Sequence, residues 1–311
     1  RWEAGQEFAP RQILALAAAR QAGKTLHADA AFIETWRALL TDPAIDAAFR
    51  ARALALPSEK TLAERMQQVD PPALAVARDF LRAELGRQLA AEFRQAFDDN
   101  QTPGAYSPAP EPAGKRALKN LALSHLMAAG ELDAQRLAEQ QYDKAGNMTD
   151  SMAALSALIN FGQGEFPQEA LAAFYDKWRD NALVVDKWFA LQASARSTTV
   201  QTARELMQHP AFTLRNPNRA RALIFQFCLN NARGMHHPDG SGYAFWAEQV
   251  LALDALNPEI AARLARALDN WSRFVPALRA PMQAALQQVR AHEGLSRNVQ
   301  EIVSKALEFA A

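Results

Sequence analysis

Cysteine is almost missing from this sequence: Cys228 stands alone among 311 residues. That excludes an internal disulfide framework and fits a reducing, cytoplasmic setting. Glycine (13) and tyrosine (4) are scarce, which leaves little of the chemistry that turns and strands require. No apolar run approaches the roughly 20 residues needed to span a bilayer, and no signal-peptide pattern opens the chain. Net charge is missing too: 34 Lys and Arg balance 34 Asp and Glu, so no bulk field draws in nucleic acid or an anionic membrane. An initiating Met is also lacking. The chain opens at Arg1-Trp2, as a cut segment of something longer would.

What is present is helix-forming sequence rich in Ala and Leu. Apolar residues recur at helical spacing over 8–22, 31–41, 43–54, 58–67, 71–98, 115–129, 132–144, 149–161 and 166–180. The pattern continues over 183–193, 198–207, 217–229, 241–256, 258–269, 278–293 and 296–310. Gly, Pro, Asp and Asn punctuate the short joins. No segment alternates with period two, so no sheet of consequence is expected. Short helices with short joins pack as antiparallel pairs. The expected fold is all-α, a two-layer superhelical array resembling an α-solenoid with irregular repeats. A single domain over 1–311 is expected. No consensus repeat is visible, which disfavours regular ankyrin or tetratricopeptide arrays.

One stretch interrupts the pattern: "DDNQTPGAYSPAPEPAG", Asp98 to Gly114. Its four prolines disfavour helix and predict an exposed loop at about 99–114, either a domain linker or an excursion within one array. Helices of the same type resume at once, which favours the excursion. "AGKT" (Ala22 to Thr25) has the tail of a phosphate-binding loop, but Ala18 stands where the first glycine belongs and a helix precedes it. "DGSGY" (Asp239 to Tyr243) reads as a tight turn entering a helix. "NQT" and "NMT" match glycosylation acceptors and, without a secretory signal, carry little weight.

The six histidines include no H-x-x-x-H pair, and one cysteine cannot close a zinc site. "MHHPDG" (Met235 to Gly240) reads as a solvated turn rather than a metal site. Cys228 lies on the apolar stripe of Ala220, Leu223, Ile224 and Phe227, where a buried inert thiol is expected. Trp188 falls on the apolar face of Val184, Val185 and Leu191 and reads as core. No catalytic apparatus is legible in the residues themselves.

Five stretches nonetheless carry a resemblance: "NMTDSMAALSAL" (from Asn147), "VVDKWFALQA" (from Val184), "FTLRNPNRARALI" (from Phe212), "DGSGYAF" (from Asp239) and "LNPEIAARL" (from Leu256). In that order they resemble the C-terminal helical domain of the bacterial aminopeptidase N family, zinc-dependent aminopeptidases of the gluzincin type. The opening "RWEAGQEFA" and closing "IVSKALEFAA" resemble that domain's ends. The family's H-E-x-x-H and G-A-M-E-N motifs are not in this chain. The resemblance therefore implies a division of labour. Zinc, its ligands and the water-activating glutamate would belong to a catalytic domain of the same polypeptide. The present chain, itself inactive, would cap the active site and enclose a chamber for short peptides. The alternative is a free-standing helical scaffold that binds protein partners.

Two helices start alike, at Asn216-Pro217 and Asn257-Pro258, with Asn as N-cap and Pro at the first helical position. Arg219 and Arg221 crowd the first of these starts, where the helix dipole repels cations. By their positions alone they bridge to acidic residues on neighbouring helices. The resemblance instead implies that Arg221 and Arg263, each on a flank of its apolar stripe, face substrate, and it leaves Arg219 structural. Glu259 precedes Arg263 by four residues, the spacing of a helical ion pair. The resemblance places it at the pocket for the substrate's first side chain.

Overall fold

Side-chain caps set where many of the helices begin. Asp29 accepts from the backbone N–H groups of Ala31 and Phe32 at 2.7 and 3.3 Å. Asn147 accepts from Asp150 at 2.9 Å, and Asn181 from Val184 at 3.3 Å. Each satisfies an amide that the first turn cannot pair internally. The computed structural model describes the backbone of residues 2–308 and the side chains of residues 7–308. Of the terminal stretches quoted above, Arg1 and Phe309 to Ala311 lie outside the described residues. Among the described residues no strand forms; one isolated parallel bridge joins Val69 and Phe274.

The chain divides into two compact units, one of residues up to Arg65 with Ala73–Ala173, the other of Met66–Pro72 with the residues from Phe174 onward. The first holds α1 (Trp2–Gln21), α2 (Ala30–Thr41), α3 (Ala47–Ala53), α4 (Glu59–Glu64), most of α5 (Pro71–Gln88), α6 (Ala90–Asp99), α7 (Pro110–Ala129), α8 (Ala134–Lys144) and α9 (Met148–Phe161). The boundary between units falls inside α10 (Phe166–Trp178). In the first unit α7 packs against α3, α6, α8 and α9, burying Leu118, Ala122, Leu123 and Leu126. Its His125 is 3% exposed and stacks on Phe93 with ring centroids 4.6 Å apart. The Nδ1 atom lies 3.1 Å from the carbonyl of Arg82.

The second unit holds α11 (Ala182–Ala193), α12 (Val200–Met207), α13 (Pro217–Ala220), a π turn over Arg221–Phe225, α14 (Gln226–Asn230), α15 (Ala232–Met235), α16 (Ser241–Asp254) and α17 (Pro258–Ala265). Two 3₁₀ turns, Arg266–Leu268 and Trp271–Arg273, precede α18 (Pro276–Arg290) and α19 (Arg297–Glu308). Here α16 packs on α17 and α18, and α19 closes over α17 and α18. The buried indoles of Trp246 and Trp271 donate to the carbonyls of Leu264 and Ala306 at 3.0 and 2.9 Å, so large apolar rings enter the core without stranding their N–H groups.

Three expectations need correction. The proline-rich segment is non-helical only until Ala109: Pro110 and Pro112 occupy the first turn of α7, where no intrahelical N–H is required. The loop joins α6 to α7 within one unit, and Arg116 pins it, donating to the carbonyl of Ser107 at 2.8 Å and lying over the Tyr106 ring. The helix expected over 71–98 breaks at Leu89, which leaves helical geometry (φ −120°, ψ 28°) with no exposed side-chain surface. No glycine or proline marks that break; tertiary packing of a buried leucine sets it. The helix expected over 217–229 is interrupted by the π turn.

Candidate functional site

The two Asn-Pro helix starts form as their sequence implies. Asn216 Oδ1 accepts from the amides of Asn218 and Arg219 at 3.0 and 3.4 Å. Asn257 Oδ1 accepts from Ile260 at 3.2 Å. Pro217 and Pro258 follow at the first helical positions.

The arginines at the first start have different environments. Arg219 is 6% exposed. Its Nε lies 3.3 Å from Asp186 Oδ1 on α11, and its guanidinium sits 5.1 Å from the centre of the Phe189 ring. The carboxylate and the ring face offset the cost of placing a cation at the positive end of a helix. Arg221 is half-buried and opens the π turn, its carbonyl accepting from the Gln226 N–H five residues on. A π turn inserts one residue into the helical register, and such insertions are frequent at functional sites. The Arg221 guanidinium reaches Asn218 Oδ1 at 3.4 Å and has no acidic partner among the described residues.

Glu259 and Arg263 stand one turn apart on α17, both exposed, above a face that buries Ile260 and Leu264. Among the described residues no ion pair joins them. Nor does a hydrogen bond or ion pair link Arg221 to either: the π turn packs on α11 and α12, whereas α17 packs on α16 and α19.

The histidine pair holds two separate contacts. His236 Nδ1 lies 2.9 Å from the Tyr243 hydroxyl, and burial pushes its imidazole down to about 4. His237 Nδ1 lies 2.9 Å from Asp239 Oδ1. Hydrogen bonds from Ser241 and His237 hold the Asp239 carboxyl down at about 2. The "DGSGY" glycines serve the turn: Gly240 has φ 76°, and a Cβ on Gly242 would fall 2.1 Å from the Met235 carbonyl oxygen. Among the described residues no three His, Cys, Asp or Glu side chains cluster as a metal site requires. Cys228 is buried, which pushes its thiol well above the ordinary range, and Trp188 is core at 7% exposure.

A further polar group escaped the sequence reading. Lys119 on α7 and Asp150 in the first turn of α9 are each 4% exposed, with Nζ 2.7 Å from Oδ2. Asn120 and Asn147 also donate to this carboxylate at 3.0 and 3.1 Å. Gln141 on α8 donates to Asn120 Oδ1 and to the Asp150 carbonyl. A lysine and an asparagine beside the apolar stripe of α7 were the available signal, but nothing in the sequence named their partner.

Comparison with known proteins matches residues 1–308 to a family model described as "Domain of unknown function (DUF3458_C) ARM repeats". The chain is 41% identical over 99% of its length to aminopeptidase N of Caulobacter vibrioides and 39% identical over 99% to that of Escherichia coli. It spans only 35% of the length of each. A crystal structure of Legionella pneumophila aminopeptidase A, determined with aspartic acid, superposes with a TM-score of 0.87 at 28% identity. That match covers 97% of this chain and 36% of the other.

Proposed function

The chain belongs to the DUF3458_C family of ARM repeats, and from that premise we propose that it is the non-catalytic C-terminal part of a zinc aminopeptidase acting on short peptides. The observation that carries this reading is the coverage: nearly all of this chain aligns with little more than a third of each aminopeptidase. Zinc and its ligands would lie in a catalytic domain of the same polypeptide, and the metal would supply the activated water there. The present chain would cap that site and wall the chamber, excluding bulk water and so strengthening electrostatic contacts with the peptide.

Arg221 and Arg263 would meet the peptide beyond its first residue. Neither has an acidic partner among the described residues, so each can offer its fork of N–H donors to a carbonyl or terminal carboxylate. Glu259, exposed and not paired with Arg263, would line the pocket for the first side chain.

The test compares two substrates in the full-length aminopeptidase. A well-formed charge-assisted hydrogen bond contributes about 1.5–3 kcal/mol. Arg221→Ala or Arg263→Ala should therefore lower kcat/KM for a tripeptide by roughly ten- to a hundredfold. An aminoacyl-amide reporter has no distant carboxylate and should lose little. Equal losses on both substrates would refute a direct contact and point to disturbed packing.

A further inference from the structure

The proline-rich loop between α6 and α7 lines a cleft of about 770 Å³ in the first unit. Independently of the peptidase reading, we propose that this cleft binds an acidic peptide segment, with Arg116 and Lys144 receiving its carboxylates.

Arg116 lies well inside α7, is 4% exposed and lines the cleft. One guanidinium N–H donates to the Ser107 carbonyl at 2.8 Å, and the Tyr106 ring covers a face at 4.8 Å. Neither contact neutralises the charge, and Arg116 has no acidic partner among the described residues. A guanidinium has five N–H donors and no acceptor, and a buried cation is ordinarily matched by an anion. The carboxylates that line the cleft are already matched. Asp98 accepts from Arg94 at 2.9 Å, and Asp150 accepts from Lys119 at 2.7 Å. Five cations and only these two carboxylates line the cleft, in a chain whose overall charge is zero. Lys144, the last residue of α8, is exposed on the same cleft and meets no carboxylate among the described residues. The helix dipole favours a cation at that end, which leaves its ammonium solvated and open to a second carboxylate.

Two further groups distinguish a peptide from a simple anion. Lys119 spends one of its three ammonium donors on Asp150. Gln141, 9% exposed, donates to Asn120 and to the Asp150 carbonyl, whereas its Oε1 is buried without a hydrogen-bond partner among the described residues. Both side chains belong to the cleft lining. An ammonium with spare donors and an amide oxygen in need of one complement the C=O and N–H of a main-chain amide. A simple dicarboxylate offers acceptors alone, and the nearby Asp98 and Asp150 oppose a compact dianion. Tyr106, 58% exposed beside Arg116, adds an aromatic face for a peptide side chain.

Isothermal titration of this chain with the capped peptide acetyl-Glu-Asp-Glu-amide tests the cleft. Acetyl-Gln-Asn-Gln-amide, succinate and inorganic phosphate serve as separate titrants at matched ionic strength. One saturable site is expected for the acidic peptide. Arg116→Gln should weaken it roughly tenfold or more, the loss of a charge-assisted contact. Lys144→Gln should weaken it about threefold, as an exposed pair would, while Lys305→Gln in the second unit leaves it unchanged. Because Arg116 also holds the loop, the surface variant Lys144→Gln reads the same site without that risk to folding. The proposal is overturned if the acidic peptide gives no saturable heat, or if the neutral peptide, succinate or phosphate binds as tightly. It is equally overturned if Lys144→Gln and a folded Arg116→Gln, verified by circular dichroism, bind like the parent chain.

Discussion

Replacing Asp150 with alanine should destabilise the first unit more than any surface substitution. The carboxylate is buried and receives three side-chain donors, one of them the Lys119 ammonium at 2.7 Å. Deleting it strands a buried cation and two amide donors, and removing one partner of a buried pair costs about 3–5 kcal/mol. Asp150 also lies in the first turn of α9, where a negative charge complements the helix dipole by a further few tenths of a kcal/mol. In a unit of this size 1 kcal/mol corresponds to about 2–4 °C, so the apparent Tm should fall by roughly 6–20 °C.

A double-mutant cycle separates the pair from its setting. Lys119→Met removes the charge that Asp150→Ala would strand and keeps an apolar stem in the same space. The double variant should therefore be less destabilised than the sum of the singles by at least about 1.5 kcal/mol. Hydrogen exchange in α7, α8 and α9 is the fitting assay, since it reads the opening of the helices that the network joins. A cost below about 1 kcal/mol for Asp150→Ala, or strict additivity in the cycle, would refute the reasoning.

Two further outcomes follow from single side chains. Burial, and secondly the charge of Arg82, push His125 down to about 3 from an ordinary 6.5, so the unfolded chain binds a proton that the folded chain refuses. Its stabilising contribution is complete above pH 6.5 and is lost as pH falls toward 3, by up to about 5 kcal/mol; chemical denaturation at several pH values should show a shallower decline in His125→Leu than in the parent chain. In the full-length aminopeptidase, Glu259→Gln should reduce the preference for Arg- over Leu-initiated substrates several-fold with Leu turnover nearly unchanged, and an unmoved kcat/KM ratio would make Glu259 a surface residue only.

Much of the fold was legible because helix boundaries are written in local chemistry. Asn216 and Asn257 each cap a helix at the position their sequence implied, and Asn147 and Asn181 cap helices that begin one residue ahead of the expected starts. The stripe from Ala220 to Cys228 is buried throughout its named positions. Boundaries without local chemistry were not legible: Leu89 leaves the helix because of where it packs, and the π turn at Arg221 has no composition that announces it. Pro110 and Pro112 misled in the opposite direction, since four prolines read as loop although two of them suit a helix start. For the candidate site, the sequence located Arg221, Arg263 and Glu259 on their helices, whereas the carboxylate that meets Arg219 comes from α11, more than thirty residues earlier. Pairings at that separation depend on tertiary packing and leave no spacing signal.

The contrast between Arg219 and Arg221 bears on why a neutral chain places cations at helix starts at all. Each such arginine opposes the helix dipole by about 0.3–1 kcal/mol when exposed, a cost that something must offset. For Arg219 the offset is internal, from Asp186 and the Phe189 ring, and burial makes that partnership a condition of folding. Arg221 gains only a long contact to a neutral amide oxygen. Arg263 differs: it lies in the last turn of its helix, where the dipole favours a cation, so its lack of an acidic partner among the described residues carries no such cost. A cation left without internal compensation at a helix start, and marked by a π turn, has the arrangement expected of a group whose compensation arrives with a ligand. That argument supports a peptide carbonyl or carboxylate at Arg221 and assigns Arg219 to the scaffold that holds it; for Arg263 the support is only its exposure and its lack of an acidic partner among the described residues.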